Sequence, residues 1–363
     1  MSSSALLSLF RQWGADFLER EAGPVPLRFP EGAGREYQAA KEAAILAYGG
    51  DRGWLELTGA DTAGFLQRIL SSDLNALEPG GGQWSAMLDG KAHWISDLLL
   101  YRFVRDGQDL WGMDMPAERL NRMEQALDMF HFGEDLSWRQ QPWERLLIGG
   151  PQAESKMAQL GLPVPEPASG EPRAGGTFGT AAMEDGLVLR RPDRGMVCFD
   201  ILAAGEKLSA WAEQLRQEKT TAAGWVALDI LRVEAFRPRY GTDFNDSSTL
   251  PESNEWQRAS VSKGCYAGQE VVAKIHTYGE APRQLCRLRF DGDPVPMQGA
   301  ELLDSSNKVL GKVTSWVFSP IEDAPIGLGI LRRKGAQEGF SMLAVQGEHR
   351  IPVRVSLPDK NPA

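Results

Sequence analysis

Residues 263–290, KGCYAGQEVVAKIHTYGEAPRQLCRLRF, contain the transition that decides the fold. In the first half, Val271, Val272 and Ile275 recur at helical spacing behind a glycine-flanked turn. After Pro282 the period falls to two. Cys286, Leu288 and Phe290 alternate with Arg287 and Arg289, as they do on a strand with one buried face. The same alternation returns at Ile351, Val353 and Val355, with glycine and proline breaks around short strands such as GKVTSWVF (311–318). Residues 283–363 therefore read as a small β-barrel or sandwich domain, set off from residues 1–282.

Working back from that boundary, WLELTG (54–59) reads as a strand, and Asp61 can cap a helix whose apolar face carries Phe65, Leu66, Ile69 and Leu70. MVCFDI (196–201) and a helix over 206–217, with Leu208, Trp211, Ala212 and Leu215 on one face, repeat that order and suggest a weak internal duplication. Leu120, Met123, Leu127 and Phe130 form a core stripe, and HWISDLLLYRFV (93–104) reads as a buried strand. At the N-terminus Leu6, Leu9, Phe10, Trp13 and Phe17 predict one helix, and GPVPLRFPEGAGRE (23–36) predicts a connecting loop. The proline- and glycine-rich stretch 161–180 predicts a flexible connector. The elements are those of an α+β protein.

A chain of 363 residues exceeds one ordinary core, so two or three domains are expected. The formal net charge of -10 argues against stable nucleic-acid binding and against broad grip on an anionic membrane. No apolar run approaches the roughly 20 residues of a membrane-spanning helix. The N-terminus lacks the basic leader of a signal peptide. Three unpaired cysteines without C-x-x-C spacing point to a reducing compartment, so a cytoplasmic location is expected, and no metal site is predicted.

Three constellations could carry chemistry. Cys265 lies in the KGCYAGQE turn before a helix, where helix N–H groups and Lys263 would favour its thiolate; an incidental small residue in a glycine-rich turn is the competing reading. Cys198 and Cys286 belong to strand cores, and nothing in the spacing of the four histidines selects a partner for a thiol. Glu234 sits in the last helical turn before Pro238, where the helix dipole opposes a carboxylate. It can offer two acceptors to a ligand with paired N–H donors, or it can pair with Arg232, Arg237 or Arg239, arginines that could equally meet a ligand carboxylate. Asp97 enters an otherwise apolar strand, where a half-buried carboxylate needs a partner or a role.

Together, FLQRILSSDLNALEPG (65–80), the Asp97 strand, RVEAFRPRYGTD (232–243), TLPES (249–253) and above all KGCYAGQE (263–270) resemble the YgfZ-type branch of the glycine-cleavage T-protein superfamily over nearly the whole chain. T-proteins proper are similar around the lysine and glycines but lack the cysteine. The resemblance implies two intertwined α/β subdomains around a central folate channel, plus a small C-terminal β-barrel. It implies tetrahydrofolate or another reduced folate as cofactor. Glu234 would hold the pterin, with Arg232, Arg239 and Tyr240 of the same segment nearby, and Asp97 would lie near the reactive nitrogens, where the usual acidic pair reads Ser96-Asp97 here. Cys265, Lys263 and Asp97 would carry the chemistry. The function implied is a folate-binding accessory factor for assembly or repair of iron-sulfur enzymes, tRNA-modifying ones included, with transient iron-sulfur client or assembly proteins as partners. The alternative is a tetrahydrofolate-dependent aminomethyltransferase of the glycine-cleavage type, for which Cys265 would be dispensable.

Overall fold

The computed structural model describes residues 4–166, 178–279 and 281–357, so most of the 161–180 connector lies outside the described residues. Residues 4–279 are built on an eleven-stranded sheet. Strands Ile45–Tyr48, Glu144–Gly149, Cys198–Ala203 and Gly186–Arg190 make one half, and Gly81–Leu88, Trp94–Arg105, Gln108–Pro116 and Arg52–Thr58 make the other. The chain interleaves them: it leaves the first half after Tyr48, builds the second, and returns at Glu144. The halves meet where Phe178 and Gly179 pair with Gly82 and Gly81. A Cβ on Gly82 would fall 2.5 Å from the Phe178 ring, so a bare backbone is what lets this seam close.

Each half buries its own apolar face. Leu46, Ile148, Phe199 and Ile201 pack on helices Ala5–Gln12 and Gly205–Gln217, while Leu55, Leu98 and Met113 pack on helices Thr62–Ile69 and Leu120–Phe130. Six antiparallel strands between Arg283 and Ser356 close into a barrel. Cys286, Leu288 and Phe290 turn into its core, as their period-two spacing predicts. The barrel docks on the body through Leu285, Val317, Ile326 and Leu328 against Val233. The expected α+β arrangement with a terminal barrel is therefore the fold of this chain. No helix among the described residues is long and apolar enough to cross a membrane.

Two local expectations fail for tertiary reasons. The first helix is Ala5–Gln12, and Phe17 lies on the strand Asp16–Leu18, because Gly14 takes a positive φ of 80° and ends the helix. Residues 23–36 are not a loop: Val25–Arg28 is a strand paired to Asp16–Leu18, and a helix begins at Ala33. What holds the segment is Glu36, fully buried, whose carboxylate accepts from the backbone N–H groups of Phe29 at 2.6 Å and Gly224 at 2.9 Å. Proline and glycine density cannot show that contact across 188 residues of sequence.

Candidate functional site

Asp97 sits on the strand Trp94–Arg105, opposite Ala86, and is 4 % exposed. Its Oδ2 accepts from Arg52 Nη1 at 2.9 Å, and Arg258 Nη2 lies 3.6 Å away. Its Oδ1 has no partner among the described residues. A buried carboxylate oxygen left unpaired costs about 1–3 kcal/mol, which a ligand donor can recover. Arg52 is fixed from behind, with Nε on Asp114 Oδ1 at 2.6 Å and Nη2 on the Asp114 carbonyl at 2.9 Å. Burial opposes the Arg52 charge, but Asp97 and Asp114 outweigh it and hold the guanidinium firmly protonated. Asp114 is fully buried and also binds Arg145 and Arg191, so despite burial its carboxyl is held well below the usual carboxylate range.

Asp97 lines a narrow open cleft with seven arginines and five carboxylates on its walls. Guanidinium groups cover both of its indole rings. Arg258 lies 4.4 Å from the centroid of Trp84, and Arg239 and Arg20 lie 3.7 and 4.2 Å from that of Trp225. Burial, and then Arg232, push the pKa of Arg239 down to about 9, a sign that its charge lacks full compensation. Arg194 is buried and uses both terminal nitrogens on Asp51, yet its Nε has no partner, and neither has Nε of Arg237. Residues of the walls therefore hold one acceptor and two cationic donors buried without a partner. That set suits a ligand carrying an N–H edge and an anionic group.

Of the residues expected from sequence, Asp97, Arg232, Arg239 and Tyr240 line this cleft. Tyr240 stacks with Arg119 at 5.0 Å, and burial pushes its phenol up to about 12. Arg232 is committed to protein partners, with Nε on Asp229, Nη1 on Asp243 and Nη2 on Ser315 at 2.6, 2.7 and 2.7 Å. Glu234 is not a cleft residue. Its carboxylate accepts from Tyr37 Oη at 2.9 Å and Ser319 Oγ at 2.6 Å, and it lines a separate groove beside the barrel. Two of its acceptor positions are thereby taken within the chain, by Tyr37 and Ser319.

The ammonium of Lys263 donates to the carbonyls of Gln67, Leu70 and Ser72 at 2.6, 2.6 and 2.9 Å and caps the C-terminal end of the helix Thr62–Ile69. Desolvation lowers its pKa to about 8. Cys265 is exposed, in contrast to buried Cys198 and Cys286, and lies outside the cleft lining. The helix that follows it starts only at Gln269, after Gly268 in the left-handed conformation. A Cβ on Gly268 would meet Asp89 O at 2.6 Å, so the glycine seats the cysteine loop directly on the Asp89–Ala92 turn that leads into the Asp97 strand. Tyr266 completes the seat by packing with Ala92, Trp94 and Tyr240.

Arg52, Arg258, Trp84 and Trp225 escaped the sequence reading. Arg52 and Asp97 are 45 residues apart, and Arg258 reaches the Leu98 carbonyl across 160. No local period marks such pairs. Among the described residues, no group of three or more His, Cys, Asp or Glu side chains could hold a metal ion.

Residues 6–255 match the family of the GCVT N-terminal domain, and residues 283–359 match the glycine cleavage T-protein C-terminal barrel domain. The chain is similar to the aminomethyltransferase of Halalkalibacterium halodurans, 24 % identical over 98 % of this chain and 96 % of the relative. It also resembles the aminomethyltransferase of Frankia alni, 28 % identical over 84 % of this chain and 82 % of the relative. The crystal structure of the glycine cleavage system aminomethyltransferase T from Bartonella henselae shares the fold at a TM-score of 0.86, with 23 % identity, covering 98 % of this chain and 96 % of that one.

Proposed function

The chain belongs to the glycine cleavage T-protein family, and on that premise we propose that its central cleft binds a reduced folate. The observation that carries the proposal is the buried, unpartnered Oδ1 of Asp97. The polar residues present fit the group: Asp97 can accept from a ring N–H, and the Nε atoms of Arg194 and Arg237 can turn toward the glutamate carboxylates. A bound reduced folate supplies nitrogens able to carry a one-carbon unit. Arg52 keeps Asp97 Oδ2 occupied, so Oδ1 is the oxygen left to orient or deprotonate a bound amine. Calorimetric titration of the full chain with tetrahydrofolate tests the reading. Binding that falls by about one to two decades in Asp97→Asn is expected, and a native protein that takes up no folate overturns it.

Two activities fit such a site. Tetrahydrofolate-dependent aminomethyl transfer has the support of the relatives, which carry the name aminomethyltransferase. A second reading, a YgfZ-type accessory factor for iron-sulfur enzymes, tRNA-modifying ones included, is favoured by a specific pair of observations. Ser96 stands where a second carboxylate would serve the transferase, its Oγ turned back onto the Asp97 carbonyl at 3.0 Å, and Cys265 exposes a thiol outside the cleft on a loop seated against the Asp97 hairpin. A thiolate there could contact the cluster, persulfide or oxidised cysteine of a transient client. Aminomethyl transfer by the purified protein, unaffected by Cys265→Ser, selects the first activity. Loss of a cluster-dependent enzyme in cells carrying only Cys265→Ser, with folate affinity kept, selects the second.

A further inference from the structure

The strand Val309–Ser319 of the barrel contains a bulge: Val313 pairs with Gly329 and Ser315 with Leu328, leaving Thr314 as an extra residue. In a regular strand neighbouring side chains face opposite ways. Here the Thr314 and Ser315 hydroxyls both donate to Oδ1 of Asp243, each at 2.6 Å. Oδ2 of the same carboxylate accepts from Arg232 Nη1 at 2.7 Å and from the backbone N–H of Arg239 at 2.9 Å. Asp229 Oδ1 then accepts from Arg232 Nε at 2.6 Å and Arg239 Nη1 at 2.8 Å. Arg239 is thus held at its backbone and at its guanidinium by one network, and its far face lies on Trp225 in the cleft, 3.7 Å from the ring centroid.

We propose that Thr314 and Ser315 of the barrel are positioning residues for Arg239, acting through a relay of Asp243, Arg232 and Asp229 to fix the cationic wall of the cleft. Asp243, Arg232 and Ser315 are 2, 4 and 1 % exposed, so water does not readily replace the Ser315 contact and the buried part of the network shifts as a unit. The bulge is the feature that an interdomain contact alone does not require. Apolar packing of Leu285, Val317 and Ile326 already docks the barrel, whereas aiming two successive hydroxyls at one carboxylate oxygen needs the extra residue. The barrel is on this account part of the ligand site, although none of its residues lines the cleft.

The structural half of the inference stands without a ligand, and its effect on affinity rests on the folate reading. The full chain labelled with 5-fluorotryptophan, with the Trp225 fluorine resonance assigned from Trp225→Phe, separates the two. Ser315→Ala and the near-isosteric Thr314→Val should each move the Trp225 resonance, while Ser341→Ala, on an exposed barrel position off the relay, should not. A Trp225 signal that stays in its native position in both relay variants overturns the proposal; where Ser315→Ala fails to fold, Thr314→Val decides alone. With tetrahydrofolate as probe, Ser315→Ala should weaken binding about tenfold and cost nothing further in an Arg239→Lys background. Additive losses in that cycle overturn the positioning role. A native protein that binds no tetrahydrofolate removes the folate reading and leaves the relay to the fluorine signal.

Discussion

The cleft and the cysteine loop both pack against the Asp97 hairpin but use their charged groups differently. In the loop, Lys263 places three donors on three carbonyls, and Gln269 Nε2 binds the Lys263 carbonyl at 2.9 Å, so these polar groups go into holding the turn while Cys265 is exposed. In the cleft, Asp97, Arg194 and Arg237 each keep a polar atom without a partner, and the stabilising contacts sit one layer deeper, on Asp114 and Asp243. The loop uses its ammonium to hold the seat, with Tyr266 Oη its one buried atom lacking a partner among the described residues, whereas the cleft leaves charged groups short of partners. The two regions meet at the Asp89–Ala92 turn, which receives Gly268 and leads into the Asp97 strand.

The comparison breaks most severely at its buried hub. Asp114→Asn leaves Arg52, Arg145 and Arg191 facing one another without their shared carboxylate and should cost about 3–5 kcal/mol, read as a lowered urea midpoint with an unchanged slope. Wild-type stability in that variant would show that the cleft has no rigid floor. Lys263→Met should cost roughly 2–3 kcal/mol by orphaning helix carbonyls while leaving the alkylation rate of Cys265 unchanged, because the ammonium serves the helix. A large fall in that rate would restore Lys263 to the thiol. Glu234→Gln sharpens the division differently. Its carboxylate lies on Tyr37 and Ser319, so tetrahydrofolate affinity should stay within about twofold of native, against the one to two decades expected for Asp97→Asn. A short pulse of iodoacetamide followed by peptide mapping should label Cys265 first, since Cys198 and Cys286 are buried; dominant labelling of Cys286 would mean that the barrel opens.

The smallest effect concerns pH. Burial pushes the Cys286 thiol up to about 12 from its ordinary value of 9.0. Between those values the unfolded chain releases a proton that the native barrel retains, so stability is complete below about pH 9 and declines as pH rises toward about 12. Cys286→Ala, less stable at neutral pH, should lack that part of the decline when urea midpoints are compared at pH 8 and 10.

Features that repeat along the chain were legible before any folding was known. Period-two alternation placed Cys286, Leu288 and Phe290 inside a barrel, helical spacing placed the stripes behind Asp61 and over 206–217, and the lone polar residue in an apolar strand singled out Asp97. These features are local because burial of one face imposes a period on neighbouring residues. Tertiary structure alone decided where charges end. Glu234 and Lys263 are conspicuous in sequence yet bind Ser319 and the Gln67–Ser72 segment, whereas Arg52 and Arg258, inconspicuous in sequence, flank the key carboxylate. A charged side chain has no period. It goes to the partner that offsets its loss of water, and that partner is chosen by sheet order and docking between segments 45 to 196 residues apart.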